Sequence, residues 1–192
     1  TMGFALASAF AARGAEVTLI AGPVNQETPH GVSKRLDIVS AADLETAFDE
    51  AWPHADVVVM AAAVADYRPV HVHEEKWKKS DSAAGIELER TTDILGQTAA
   101  MPDRDQKIVV GFAAETENLE ENARGKLERK ALDWIVANHV GGTATGFGTG
   151  QNEGILYGTN GECIELERRD KQQFADIIIA HLAPSLREKV QL

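Results

Sequence analysis

An acid, a phenol and a guanidinium follow directly on an apolar run. The run is "DVVVMAAAV", residues 56–64, and Asp66, Tyr67 and Arg68 come just behind it. Ala61, Ala62 and Ala63 sit where a flat or polyanionic ligand can approach the main chain, because small side chains leave it open. Two other apolar runs end in the same way: "GFAAET" at 111–116 and Ala137-Asn138. In open parallel sheets, ligands bind beyond the carboxyl ends of the strands. One alanine-rich end simply fits beneath a helix, but three on one edge point to a ligand site.

Two basic groups could serve such a site. Lys76, Lys78 and Lys79 lie in "EEKWKK", and Lys126 and Lys130 lie in "GKLERK". The second pair is four apart, which puts both on one helix face. Each group reads either as ordinary solvated surface or as the local cation cluster that a polyphosphate needs. Other signals are weaker. His71 and His73 share a strand face but lack a third metal ligand. The glycine-rich stretch 141–150 reads as a loop and follows no phosphate-loop pattern, and no G-x-G-x-x-G fingerprint occurs.

The elements that must carry these residues alternate. A helix is expected over 3–13 with Gly14 as its C-cap. Strands are expected at 16–20, 35–39, 56–62, 106–112 and 132–137. Ser40 should cap a helix over 41–51, with Asp43 completing a near capping box. A further helix is expected over 119–131. Apolar strands alternating with helices argue for a Rossmann-like α/β fold, a parallel sheet with helices on both faces. The end differs: 154–157 and 163–166 flank Asn160-Gly161 and read as a C-terminal β-hairpin. A closing helix follows over 170–186. Residues 70–92 are polar and too long for a tight connection, so a protruding arm or lid is expected there.

Bulk properties narrow the function. The chain has 192 residues, 44% of them hydrophobic and 26% charged, which is ordinary for one globular domain. Its net charge of −11 argues against nucleic acid as a partner. No apolar run is long enough to span a bilayer, so no membrane partner is expected. The single cysteine, Cys163, permits no intrachain disulfide and suits a reducing, cytoplasmic setting.

Taken in order, "AAVADYR" (62–68), "KWKK" (76–79), "GFAAET" (111–116) and "KALDWIVAN" (130–138) resemble phosphopantothenoylcysteine synthetase. In bacteria this is the C-terminal half of a bifunctional coenzyme A biosynthesis flavoprotein whose other half is a flavin-dependent decarboxylase. The resemblance covers essentially the whole chain. It implies a CTP-dependent ligase. The carboxylate of 4'-phosphopantothenate would attack the α-phosphate of CTP, giving an acyl-cytidylate and pyrophosphate. The amine of cysteine would then displace CMP, with Mg²⁺ bridging the triphosphate.

By the same resemblance Lys76 is the principal catalytic cation and a nucleotide contact. Met60, Ala61 and Ala62 meet the nucleotide through the main chain, and Asp66 holds it through ribose, base or metal. Thr92, Asp93, Ile94 and Leu95 form a further nucleotide segment. Phe112 packs on the nucleotide, and Lys126 and Lys130 reach it from their helix. A homodimer closed by the arm is implied. Three departures stand out. Thr92 replaces a common Pro, and His139 replaces a usual Asp. The family's first strand and the asparagine-bearing loop ahead of "MGF" are absent, so the expectation is one domain, 1–192, lacking both.

Two rival functions fit the same pattern. One is a nicotinamide-dependent short-chain oxidoreductase, which would share the fold. However, neither Tyr67 nor Tyr157 heads a Tyr-x-x-x-Lys pair. The other is a non-catalytic nucleotide-binding scaffold, which turnover would exclude.

Overall fold

The computed structural model describes residues 1–71, 75, 85–115, 118–139 and 150–190. Its centre is a five-stranded sheet in the order β3-β6-β7-β8-β9. β3 (Val57–Met60), β6 (Ile108–Glu115) and β7 (Trp134–His139) are parallel. β8 (Gln151–Gly158) and β9 (Cys163–Asp170) continue the sheet antiparallel. β1 (Thr18–Ala21) and β2 (Lys34–Asp37) form a separate parallel pair. Helices flank the central sheet, so the architecture is the parallel-rich α/β one that the alternation implies.

β6 shows why its sequence is apolar without a break. Ile108, Val109 and Val110 have no exposed surface, because both faces of the strand are covered. Ile108 and Val110 face a core built with α1 (Met2–Ala11) and α5 (Lys171–Val190), whose Phe174, Ile178 and Leu182 recur at four-residue spacing. Val109 and Ala113 face the opposite core, made with α2 (Ala41–Ala51), α3 (Ile94–Gln97) and α4 (Leu119–Arg129). Ser40 and Asp43 form the full capping box at α2: the Ser40 hydroxyl accepts from the Asp43 N–H, and the Asp43 carboxylate accepts from the Ser40 N–H.

The structure also departs from the sequence reading. β3 stops at Met60, leaving Ala61 and Ala62 in the loop beyond it. β2 ends at Asp37, and Val39 is 84% exposed. α1 is capped by Ala12, and Gly14 takes the positive φ of the turn behind it. α4 ends at Arg129, not at 131. The hairpin strands are eight residues each, twice as long as read. Asp170 lies ahead of α5, where its carboxylate accepts from the N–H groups of Gln172 and Gln173, and α5 runs on through Pro184 to Val190.

Flanking the span expected to form an arm, β4 (Tyr67–Pro69) pairs antiparallel with β5 (Leu88–Arg90), while residues 72–74 and 76–84 of that span lie outside the described residues. Among the described residues, no helix is long and apolar enough to cross a membrane.

Candidate nucleotide site at the carboxyl edge

The loop after β3 is tied to the segment that opens α3. The Thr91 N–H donates to the Asp66 carbonyl at 3.0 Å, and the Thr91 hydroxyl donates to the Ala65 carbonyl. The ribbon register Tyr67 to Arg90 continues that tie. Asp66 and Asp93 therefore share one edge although 27 positions separate them.

Asp93 is the N-cap of α3, and its carboxylate accepts from the Gly96 N–H at 3.0 Å. A Cβ at 96 would fall 2.7 Å from Asp93 Oδ2, so a larger residue there must displace the capping carboxylate. The same carboxylate accepts from Lys130 Nζ at 2.9 Å, across from the C-terminal end of α4. Burial pushes the Asp93 pKa up. The hydrogen bonds from Lys130 and Gly96, together with the lysine's charge, outweigh that and hold it below the ordinary carboxylate range.

Beside this pair lies an open cleft of about 660 Å³ lined by Arg90, Thr91, Thr92, Gly96, Gln97 and Arg129 along with Asp93 and Lys130. Arg90, Arg129 and Lys130 make it a locally basic surface on a strongly acidic chain, the condition for attracting an anionic ligand. The sequence reading did not single out Arg90 and Arg129, each of which follows a glutamate in the chain.

The remaining candidates divide between the two faces of the sheet. Met60 and Leu95 pack with Ile94 on the α4 side. Met60 pairs in register with Gly111 of β6, and a Cβ at Gly111 would lie 3.2 Å from Leu95 Cδ2. Lys126 is half-buried one helical turn before Lys130. Ala61 and Phe112, in contrast, pack against the α1 and α5 core. A ligand touching both Phe112 and Lys130 must lie across the strand ends. Ala62 and Asp66 are exposed in the loop between. Lys76, Lys78 and Lys79 lie outside the described residues, as do His73, Thr116 and residues 141–149.

A second cavity, about 390 Å³, lies at the other end of β7, with Arg104, Arg124, Asp133 and Lys189 in its wall. Asp133 there takes both Arg104 and Lys189, which makes it a structural junction.

The Lys130–Asp93 pair gives a direct test of surface decoration against function. Asp93 is 58% exposed in its side chain, so Lys130→Ala should cost at most about 1 kcal/mol of stability by urea unfolding. If the lysine serves the cleft, nucleotide affinity should fall about tenfold or more, a loss that calorimetry would read. The pair also has an acid limit. Because the folded pKa is depressed, its stabilisation is present above the unfolded aspartate value of about 3.9 and is lost as pH falls below it. Asp93→Asn should flatten that acid limb of the unfolding curve.

The chain resembles known proteins over nearly its whole length. Residues 1–186 match the family model described as DNA/pantothenate metabolism flavoprotein C-terminal domain. The chain is 40% identical over 182 residues to the coenzyme A biosynthesis bifunctional protein CoaBC of Bacillus subtilis, covering 95% of this chain and 44% of that one. It is 42% identical over 173 residues to the CoaBC of Escherichia coli K12, covering 88% and 42%. It therefore spans less than half the length of these relatives.

A crystal structure of the C-terminal domain of a CoaBC protein superposes with a TM-score of 0.81 at 37% identity, covering 97% of this chain and 83% of that one. The chain belongs to the DNA/pantothenate metabolism flavoprotein C-terminal domain family, as its resemblance to phosphopantothenoylcysteine synthetase implied.

Proposed function

We propose that this chain is a ligase of coenzyme A biosynthesis that joins 4'-phosphopantothenate to cysteine at the expense of CTP. The observation that carries the proposal is the basic cleft around the Lys130–Asp93 pair, tied through Thr91 to the Asp66 loop at the carboxyl edge. Kinship with the CoaBC proteins supplies the reaction class.

In this reading the substrate carboxylate attacks the α-phosphate of CTP and pyrophosphate leaves. The cysteine amine then attacks the acyl carbon and CMP leaves. Negative charge accumulates in the first step, so cations fixed beforehand lower its barrier most. Lys126 on α4 and Lys130 at its C-cap, held by Asp93, contact the phosphates, and Lys76 acts from the arm. Main-chain groups at 60–62 and the segment 92–95 hold the nucleoside, with Phe112 packed against it.

Mg²⁺ suits this donor set. It is retained mainly by phosphate oxygens with one or two carboxylates. Asp66 makes no ion pair among the described residues and stands exposed at the edge to meet it, and the ion would neutralise triphosphate charge. The ribbon exposes Tyr67 and Leu88 on one face, with Ile86 beside it, and this apolar face is where a homodimer contact is proposed. Fusion to a decarboxylase and a cytoplasmic setting belong to the same reading.

The test is turnover. With CTP, Mg²⁺, 4'-phosphopantothenate and cysteine, the chain should release CMP and pyrophosphate in equal amounts. Binding of CTP without any product would favour the scaffold reading. Equal turnover with ATP would remove the CTP preference.

A further inference from the structure

At the start of β8 the strand runs antiparallel to β7, so Asn152 falls at the same carboxyl edge as Asn138, which pairs with Gly154. Asn152 is 5% exposed. Its Oδ1 accepts from Lys171 Nζ at 2.6 Å, and its Nδ2 donates to Met2 Sδ at 3.4 Å. Three elements thus meet there: the first turn of α5, the start of β8 and the first turn of α1. Gly3 of α1 is close to the loop after β3, with its Cβ position 3.9 Å from that of Ala61.

Lys171 is oddly placed for a purely structural residue. It is the first residue of α5, where the helix dipole disfavours a cation. It is partly desolvated, and burial pushes its pKa down. Among the described residues it makes no ion pair; its one hydrogen bond is to a neutral amide. One strand away, Asn138 Oδ1 is buried without a partner among the described residues. A thioether is also a poor acceptor for the Asn152 amide. A cation held by a neutral acceptor keeps its full charge for something else.

We propose that Lys171, oriented by Asn152, binds a phosphate group of the ligand on the α1 and α5 face of the carboxyl edge, opposite the Lys130 cleft. The inference rests on the ligase reading for its ligand. That phosphate belongs either to the nucleotide or to the phosphomonoester of 4'-phosphopantothenate, and Asn152 is a positioning residue.

The decisive variant is Asn152→Asp. It is isosteric, so it keeps the tie to Lys171, but it gives the lysine a permanent counter-ion. A merely structural tie predicts unchanged or higher stability and unchanged ligand affinity. The proposal predicts unchanged or higher stability with binding about 10- to 100-fold weaker for the phosphate ligand concerned. Titrations with CTP–Mg²⁺, with 4'-phosphopantothenate and with inorganic pyrophosphate identify that ligand. Lys171→Met should show the same selective loss, and Lys171→Arg should recover most of it.

Wild-type affinities in Asn152→Asp for all three ligands would overturn the assignment. So would equal losses in Lys171→Met and Lys171→Arg that follow a lowered melting temperature. A wild-type chain that binds pyrophosphate but neither CTP nor 4'-phosphopantothenate would sink the ligase reading. The lysine's role would then stand if Asn152→Asp weakens pyrophosphate. A chain that binds none of the three would overturn both.

Discussion

Replacing Asp133 with Ala is expected to cost about 3–5 kcal/mol, the range for removing one partner of a buried charge cluster. Asp133 sits just ahead of β7, with its side chain 13% exposed. It accepts from the Val109 N–H at 2.8 Å and from Arg104 Nη2 at 2.9 Å, and it pairs with Lys189 of α5. One carboxylate therefore joins the amino end of β6, the turn before it and the C-terminal half of α5. Without it, Val109 loses an acceptor in a strand that has no access to water, and two partly buried cations lose their counter-ion.

Against a typical domain stability of about 5–15 kcal/mol, such a loss brings the fold close to its limit. Asp133→Asn should cost less, because its amide oxygen still accepts from Val109. Lys189→Met should cost least, since that lysine is 29% exposed and sits near the end of its helix. Urea unfolding of the three variants should give that order. An Asp133→Ala variant within 1 kcal/mol of wild type would show that α5 is held by its apolar face alone. Because the junction is at the amino edge, ligand affinity of the folded Asp133 variants should stay near wild type.

Contiguous signals were readable in the sequence. β6 needs a strand buried on both faces, and Ile108-Val109-Val110 can be little else. The α2 boundary was legible because Ser40 and Asp43 are the capping box, and both of its hydrogen bonds form. The hairpin turn was legible in Asn160-Gly161, where Gly161 takes a φ of 87°.

Features that depend on distant residues were not readable. β4 and β5 are three exposed residues each, too short for any period, and they form only because positions about 20 apart come together. The true ends of β8 and β9 reach polar positions such as Gln151 and Arg169, which pairing rather than hydrophobicity holds in strand.

The candidate site divides along the same line. The strand-end loop at 61–66 was visible because small residues follow an apolar run. The Lys130–Asp93 pair was not, since it joins a helix end to an N-cap 37 residues away. Phe112 and Lys130 look alike as candidates in sequence, yet strand alternation sends Phe112 to the opposite face of the sheet from α4. Lys171 gave only one local sign, a cation where a helix begins.

Lys76→Ala is expected to lower kcat by at least about 10³-fold, the upper part of the range for losing one group aimed at developing transition-state charge. The residue lies outside the described residues, and its expected effect follows from charge. The proposed first step brings a carboxylate against a triphosphate on a protein of net charge −11. Three negative partners must therefore be reconciled, and Lys130 is already shared with Asp93. A further cation must come from elsewhere, and "KWKK" is the densest cationic run near the edge in sequence.

The same variant should unfold at the wild-type urea concentration, because 76 falls in sequence between β4 and β5, whose own residues are exposed. Lys78→Ala and Lys79→Ala should each cost less than about tenfold if they supply only general field. Lys76→Arg should retain part of the activity but lose geometry. The informative measurement is single-turnover formation of the acyl-cytidylate in the absence of cysteine. Wild-type rates in Lys76→Ala would remove its role. Equal losses at 76, 78 and 79 would replace one catalytic lysine with a diffuse basic arm.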